Sequence, residues 1–208
     1  MRSTVVGHLE TNAYLLTDRW ASRQVLIDPG DEPERLLELV YSTSRRATLD
    51  LIVVTHRHED HLQALADVVR QTRARVAAGM DDADAITAAT GVRVDRALTN
   101  GDQVQIAGIL LEVVALRGHT PGSVALALPE PVRRGPNVVH LFTGDALIAG
   151  GLGATGCNLD RFSQLYTDVV VRVFARFGDN TTVRPGHGPV TTLGEERPHL
   201  REWRDRGW

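Results

Sequence analysis

Short apolar runs separated by abrupt polar turns recur along this chain, interrupted by stretches with helical spacing. Ala13–Thr17 and Gln24–Ile27 are two such runs, joined by the six residues Asp18–Arg23, and they predict a β-hairpin. The second run stops at Asp28-Pro29-Gly30, a turn signature. Leu36, Leu37, Leu39 and Val40 then form one face of a helix expected from about Glu32 to Ser44. Leu49–Val54 is a buried-type strand, and Leu62, Leu65, Ala66, Val68 and Val69 return to helical spacing as far as Thr72. A short strand at Arg75–Ala78 and a helix over Asp81–Thr90, acidic in its first turn, follow. From Val104 the texture is β: strands are expected at Ile109–Leu116, Val124–Leu128 and Val138–Phe142. Asp160–Phe177 has a helical period, Thr181–Val183 is a last short strand, and a charged helix is expected over about 194–206, with Leu200 and Trp203 on one face. No repeat, low-complexity segment or linker divides the chain, so residues 1–208 are expected to form one domain.

The polar turns that end these strands carry unusual chemistry. The densest is Thr55-His56-Arg57-His58-Glu59-Asp60-His61, directly after Leu51–Val54. Three imidazoles and a carboxylate packed at a strand end call for a positive partner, and neutral imidazole with carboxylate suits zinc, iron or manganese. His56 and His58 share one side of an extended segment, whereas Asp60 and His61 are adjacent and point elsewhere once the chain turns. Two ions could therefore divide the cluster. The same arrangement returns after later strands, at Gly118-His119, Gly144-Asp145 and Gly186-His187, where glycine lets the backbone turn sharply and approach an ion. Five of the eight histidines occupy such turns; His8, His140 and His199 do not. A single His or Asp in a glycine-rich turn is ordinarily a turn former, but seven metal-capable side chains in equivalent places are not explained that way.

Composition narrows the class without naming a function. At 42% hydrophobic and 24% charged, the 208 residues are those of an ordinary globular protein, and a formal charge of −3 gives no reason to expect a nucleic-acid partner. All 23 basic side chains are Arg. Cys157 is the single cysteine, which rules out an internal disulfide and suits a cytoplasmic home. No signal-like h-region opens the sequence and no apolar run reaches the length of a membrane span, so a membrane partner is not expected.

With these residues in place the chain resembles the metallo-β-lactamase-fold hydrolases, and within them the glyoxalase II type. His56-x-His58-x-Asp60-His61, His119, Asp145 and His187 match that family's metal motifs in order, and the likeness runs from Asn12-Ala13-Tyr14-Leu15 and Leu26–Gly30 to Pro185-Gly186-His187-Gly188. The resemblance implies an α+β fold, a four-layer αββα sandwich with a metal centre at one edge. It implies that His56, His58 and His119 hold one divalent ion, that Asp60, His61 and His187 hold another, and that Asp145 bridges them. Zinc is the expected metal, with iron or manganese compatible. Two cations about 3.5–4 Å apart can share a water and bring its pKa to about 7, so a metal-bound hydroxide would be the nucleophile and Asp60, besides ligating, the proton acceptor. Asp28 would orient the ligand loop. The expected substrate is a small molecule, a thioester above all, although a single helix is expected after His187, where glyoxalase II has a helical domain contributing glutathione contacts, and the loop after Asp145 lacks the Cys-Gly-Arg common in that family.

Rival readings leave testable traces. Phe142–Leu147 looks like the persulfide dioxygenases of the same superfamily, which activate oxygen on one iron held by two His and one Asp. An RNase Z-like phosphodiesterase or a lactonase would use the same seven ligands. The class B1 β-lactamases use a cysteine ligand and lack the bridging aspartate; Cys157, twelve residues past Asp145, does not fit that ligand and is expected to be a loop residue. Gly151-Leu152-Gly153-Ala154-Thr155-Gly156 matches a dinucleotide fingerprint literally, but it does not follow the first strand as a Rossmann turn must, so its glycines are expected to shape a loop at the rim of the metal pocket.

Overall fold

Residues 51–54 show how the layers arise. Leu51 and Val53 face one side of their strand and Ile52 and Val54 the other, and all four are buried, so the sheet that holds them is covered on both faces. A computed structural model of the chain describes residues 1–18, 20–42, 46–130 and 138–207. Its first sheet contains β1 (Arg2–Val6), β2 (Thr11–Asp18), β3 (Arg23–Ile27), β4 (Thr48–Val54), β5 (Arg75–Gly79) and β6 (Arg96–Leu98), paired in that order. Helices α1 (Pro33–Tyr41), α2 (Leu65–Thr72) and α3 (Met80–Thr90) connect its strands. The second sheet is built from β7 (Gln103–Ile106), β8 (Ile109–Ala115), β9 (Val124–Glu130) and β10 (Val138–Gly144). A two-stranded ribbon, β11 (Leu147–Ile148) and β12 (Gly151–Leu152), leads into α4 (Leu159–Val169). β13 (Thr182–Pro185), β14 (Thr191–Thr192), α5 (Leu193–Glu196) and α6 (Leu200–Arg206) complete the chain, and the second sheet runs β14-β13-β10-β9-β8-β7.

Three apolar clusters fill the three spaces between four layers. Leu36, Val40, Ile52, Leu65, Val68 and Ile86 pack α1–α3 on the first sheet. Val25, Val53, Val113, Leu126 and Phe142 lie between the sheets, and Leu116, Leu141, Phe162, Leu165, Val183 and Trp203 pack α4 and α6 on the second. The expected αββα sandwich is the fold observed.

Strand direction then positions the site. β8 and β10 each pair antiparallel with β9, and β13 pairs parallel with β10, so β8, β10 and β13 all end at the same rim. β4 reaches that rim from the first sheet, where the Val124 amide donates to the Thr55 carbonyl at 2.9 Å.

Several boundaries differ from those expected. Asp18 pairs with Arg23, so the hairpin turn is shorter than six residues, and Asp18 Oδ1 accepts from the Trp20 and Ala21 amides to fold it. The helix expected to Ser44 is seen to Tyr41; Thr43 and Ser44 lie outside the described residues. Glu59–His61 form a 3₁₀ turn, and α2 starts at Leu65 rather than Leu62. The helix expected over Asp160–Phe177 holds α geometry to Val169 and then loosens into a π turn at Val170–Phe174. The C-terminal helix is also broken: Pro198 has no N–H for a continuing helix, and a 3₁₀ turn at Arg197–His199 separates α5 from α6. Leu200 and Trp203 nevertheless share the face that meets the core.

Candidate metal centre

The loop after β4 is fastened before it reaches the first histidine. Asp28 accepts from the Thr55 amide (2.7 Å) and, with its other oxygen, from the Thr55 hydroxyl (2.8 Å). That hydroxyl has given its proton away, so it accepts from His56 Nδ1 at 3.1 Å, and His56 Nε2 is left as the free nitrogen. The same logic fixes two more rings. His119 Nδ1 donates to the Ala154 carbonyl (2.7 Å) and His187 Nδ1 to the Leu9 carbonyl (2.9 Å), because a carbonyl can only accept. His61 Nδ1 lies at ion-pair distance, 3.1 Å, from Asp28 Oδ2. Three rings thus have Nδ1 hydrogen-bonded and Nε2 turned inward, the arrangement by which outer partners orient metal-ligating imidazoles, and the buried Nδ1 of the fourth, His61, faces the Asp28 carboxylate without a well-formed hydrogen bond.

The seven side chains singled out by sequence come together in two sets. His56, His58, His119 and Asp145 form one, and Asp60, His61 and His187 the other; in each, one donor atom per residue lies within 4.8 Å of every other. Within the first, His56 Nε2 is 3.1 Å from His58 Nδ1. Within the second, His187 Nε2 is 2.9 Å from Asp60 Oδ2 and 3.3 Å from His61 Nε2. Asp145 stands between them: Oδ2 is 3.9 Å from His56 Nε2, 3.8 Å from His119 Nε2 and 3.6 Å from His187 Nε2, and Oδ1 is 3.4 Å from His61 Nε2. Glycines permit this crowding. A Cβ on Gly186 would fall 2.3 Å from Asp145 Oδ1, and one on Gly153 would fall 1.9 Å from the Asp145 carbonyl and 2.9 Å from His119 Nδ1. The glycine-rich 151–156 loop therefore lies against the cluster, as its composition suggested.

Electrostatics separate the two sets. Burial holds the His56 ring well below the ordinary imidazole pKa, reinforced by His61, His119 and the other rings crowding it. Burial likewise lowers His58 and His119, against the pull of Asp145. Burial also opposes charge on His61, but Asp28 and Asp145 outweigh it and raise the ring to about 10. Burial would raise Asp145; contact with His61 and the nearby charge of His187 and His119 bring it below the usual carboxylate value instead.

The donor set fits divalent cations. His119 Nε2 is buried without a hydrogen-bond partner, and Asp145 Oδ1 is buried with nothing better than the 3.4 Å contact to His61. Opposed ring nitrogens 3.1–3.3 Å apart need either a proton or a cation between them. Both sets are composed of nitrogen and oxygen donors without thiolate, which zinc, iron and manganese all accept.

Other candidates fall elsewhere. His140 pairs with Glu130 at 2.9 Å and His199 with Glu202 at 3.4 Å, both outside the cluster, while His8 is exposed. Cys157 is exposed, has φ 55° and belongs to neither set. Sequence reading missed Thr55, Leu9 and Ala154. The last two contribute only backbone carbonyls, which no side-chain pattern reveals; Thr55 could have been suspected as a hydroxyl wedged between strand and first histidine.

The model of the metallo-beta-lactamase superfamily matches residues 6–188. The chain belongs to that superfamily. Bovine mitochondrial persulfide dioxygenase ETHE1 is 33% identical over 192 residues, covering 90% of this chain and 69% of that enzyme. A hydroxyacylglutathione hydrolase from Synechococcus is 34% identical over 155 residues; the match covers 74% of this metallo-β-lactamase-fold chain and 57% of that enzyme, just over half its length. Among solved structures, TTHA1623 in a di-iron-bound form superposes with a TM-score of 0.70 at 32% identity, covering 95% of this chain and 97% of that one. Among the described residues, no helix is long and apolar enough to cross a membrane.

Proposed function

We propose that this protein is a dinuclear metal-dependent hydrolase acting on a small-molecule carbonyl substrate, a thioester above all. The carrying observation is the second set. Asp60, His61 and His187 converge as closely as the first set does, and Asp145 faces both. A one-ion enzyme needs neither. His56, His58 and His119 would hold one ion, Asp60, His61 and His187 the other, and Asp145 both. Bound there, two divalent ions, zinc in the first instance, supply a water acidic enough to ionise near neutral pH and positive charge opposite a developing oxyanion.

The chain's own residues supply the rest. Nδ1 contacts to Thr55, Ala154, Leu9 and Asp28 keep four rings aimed without substrate. Asp60, whose side chain is 19% exposed, also accepts from the Thr11 hydroxyl at 3.3 Å, and its carboxylate can take up a proton at the solvent side of the cluster. His187, 27% exposed, marks the open face where a carbonyl group could enter.

The likeness to persulfide dioxygenase ETHE1 over 90% of the chain supports a second reading, oxygen chemistry on a single iron in the first set. One experiment separates the two. Metal content of the purified protein is measured beside a panel of thioesters, lactones and persulfides with oxygen uptake monitored. Two ions per chain with thioester hydrolysis and no oxygen uptake are expected. One iron per chain with persulfide-dependent oxygen consumption sinks the hydrolase.

A further inference from the structure

Asp82 lies outside both sets, yet it is a fully buried carboxylate in the first turn of α3. An unpaired charge at that depth would be costly, so its partners report what it is for. They come from two separate loops. Oδ2 accepts from the Arg57 amide at 3.2 Å and from the Thr120 hydroxyl; Oδ1 accepts from the Gly122 amide at 3.0 Å and lies 3.7 Å from Arg57 Nε. Arg57 is the residue between His56 and His58, and Thr120 is the residue after His119. One carboxylate therefore joins the loop after β4 to the loop after β8, through Arg57 and Thr120, each next to a member of the first set, and through Gly122 further along the second loop.

Packing shows that this junction is built closely. A Cβ on Gly122 would meet the Asp82 amide nitrogen at 2.3 Å, and a Cβ on Gly79 would meet the Gly122 carbonyl at 1.8 Å. Two glycines thus allow the His119 loop to press onto the start of α3. Ser123 closes the loop on itself, its hydroxyl accepting from the Thr120 amide at 3.0 Å and lying 2.6 Å from the Thr120 hydroxyl. From the opposite side the Arg161 guanidinium donates to the Gly118 and His119 carbonyls.

We propose that Asp82 is a positioning residue that fixes the distance between the His56/His58 pair and His119, and so selects the geometry of the first ion without touching it. The inference rests on the two-ion reading above. Its consequence is local. Asp60 and His61 follow Arg57 on the loop after β4 but have anchors of their own in Thr11 and Asp28, and among the described residues no hydrogen bond or ion pair joins Asp82 to the His187 loop, so the second set should be disturbed less than the first when Asp82 is changed.

Zinc titration of the metal-stripped protein against a competing chelator tests this, with His119→Asn and His187→Asn variants marking which binding step belongs to which set. Asp82→Asn keeps the shape and loses the charge; Thr120→Val removes one of the four contacts, while Thr120→Ser preserves it. First-step affinity is expected to fall about 10- to 100-fold in Asp82→Asn, the range for lost outer partners, and less in Thr120→Val, with Thr120→Ser close to wild type and the second step weakened less than the first in Asp82→Asn and Thr120→Val. Unchanged first-step affinity in Asp82→Asn overturns the proposal. Equal weakening of both steps also overturns it, because a merely structural carboxylate would do that. If Asp82→Asn does not fold, the Val and Ser variants decide by the same criterion. Wild-type protein that binds one ion instead refutes the dinuclear reading, and the effect of Thr120→Val on that ion then decides the role of Asp82 alone.

Discussion

The two halves of the centre use the same residue types and are prepared for an ion in opposite ways. In the first, His56 and His119 are nearly inaccessible, and burial keeps these rings and that of His58 neutral, with lone pairs already available. In the second, Asp60 and His187 are open to solvent, and His61 sits between Asp28 and Asp145, which hold its proton to a pKa of about 10. One half is organised by desolvation and the other by opposite charge. Burial therefore does not by itself set the state of an imidazole: His61 is as deeply buried as His56 and is shifted the other way because two carboxylates face it.

The largest expected effect comes from erasing the difference at the residue both halves share. Asp145→Asn keeps the volume but removes the charge that faces all four rings. Loss of one ion per chain and a fall of about 10²- to 10³-fold in hydrolysis are expected, checked by metal analysis and steady-state rates on the same preparation. Activity and two ions surviving together would show that Asp145 does not couple the halves.

The next effect follows from the His61 proton. An ion entering the second set must displace that proton, so its apparent affinity should rise about tenfold per pH unit while the ring remains protonated, up to about pH 10. The first set has nothing to release above the ordinary imidazole range, and its affinity should be flat there. Calorimetry in buffers of different ionisation enthalpy near pH 7.5 should therefore record at least one proton released with the second ion, that of His61 in addition to any from an ionised water, and close to none with the first. Equal proton release from both would remove the electrostatic contrast.

The contrast also shows which features the sequence could reveal. His56, His119 and Asp145 were legible because each follows an apolar run of buried-strand type, and His187 because a short strand and Pro185-Gly186 lead into it; turns after such strands gather at one rim. That the β4 sheet is covered on both faces was legible in the uninterrupted apolar run Leu51–Val54, whereas the four-layer order was implied only by the family resemblance. The direction of the His61 shift was not, because Asp28 is distant in sequence and its contact depends on the positive-φ turn that it adopts. Asp82 read only as an acidic residue in a helix's first turn, since its partners come from two loops brought there by both sheets. The break at Val170–Phe174 was invisible for a different reason: apolar spacing of three and four continues through a π turn, and only the backbone hydrogen bonds change.

The smallest expected effect isolates the second half from outside. Asn12, on β2, donates through its side chain to the Pro185 carbonyl (3.1 Å) and the Gly188 carbonyl (3.0 Å), and its own amide donates to the Gly186 carbonyl at 2.7 Å. Tyr14 adds a hydroxyl donated to Pro185 at 2.8 Å. Asn12→Ala removes the two side-chain bonds but leaves the backbone bond and Tyr14, so the His187 loop stays in place with more freedom. At about 0.5–1.5 kcal/mol for each net hydrogen bond, a stability loss of about 1–3 kcal/mol is expected by urea denaturation of the metal-free protein. The part of that freedom felt at His187 should weaken the second ion several-fold and leave the first unchanged. A variant that weakened the first ion as much as the second would mean that the two halves move as one body, and that their difference lies in charge alone.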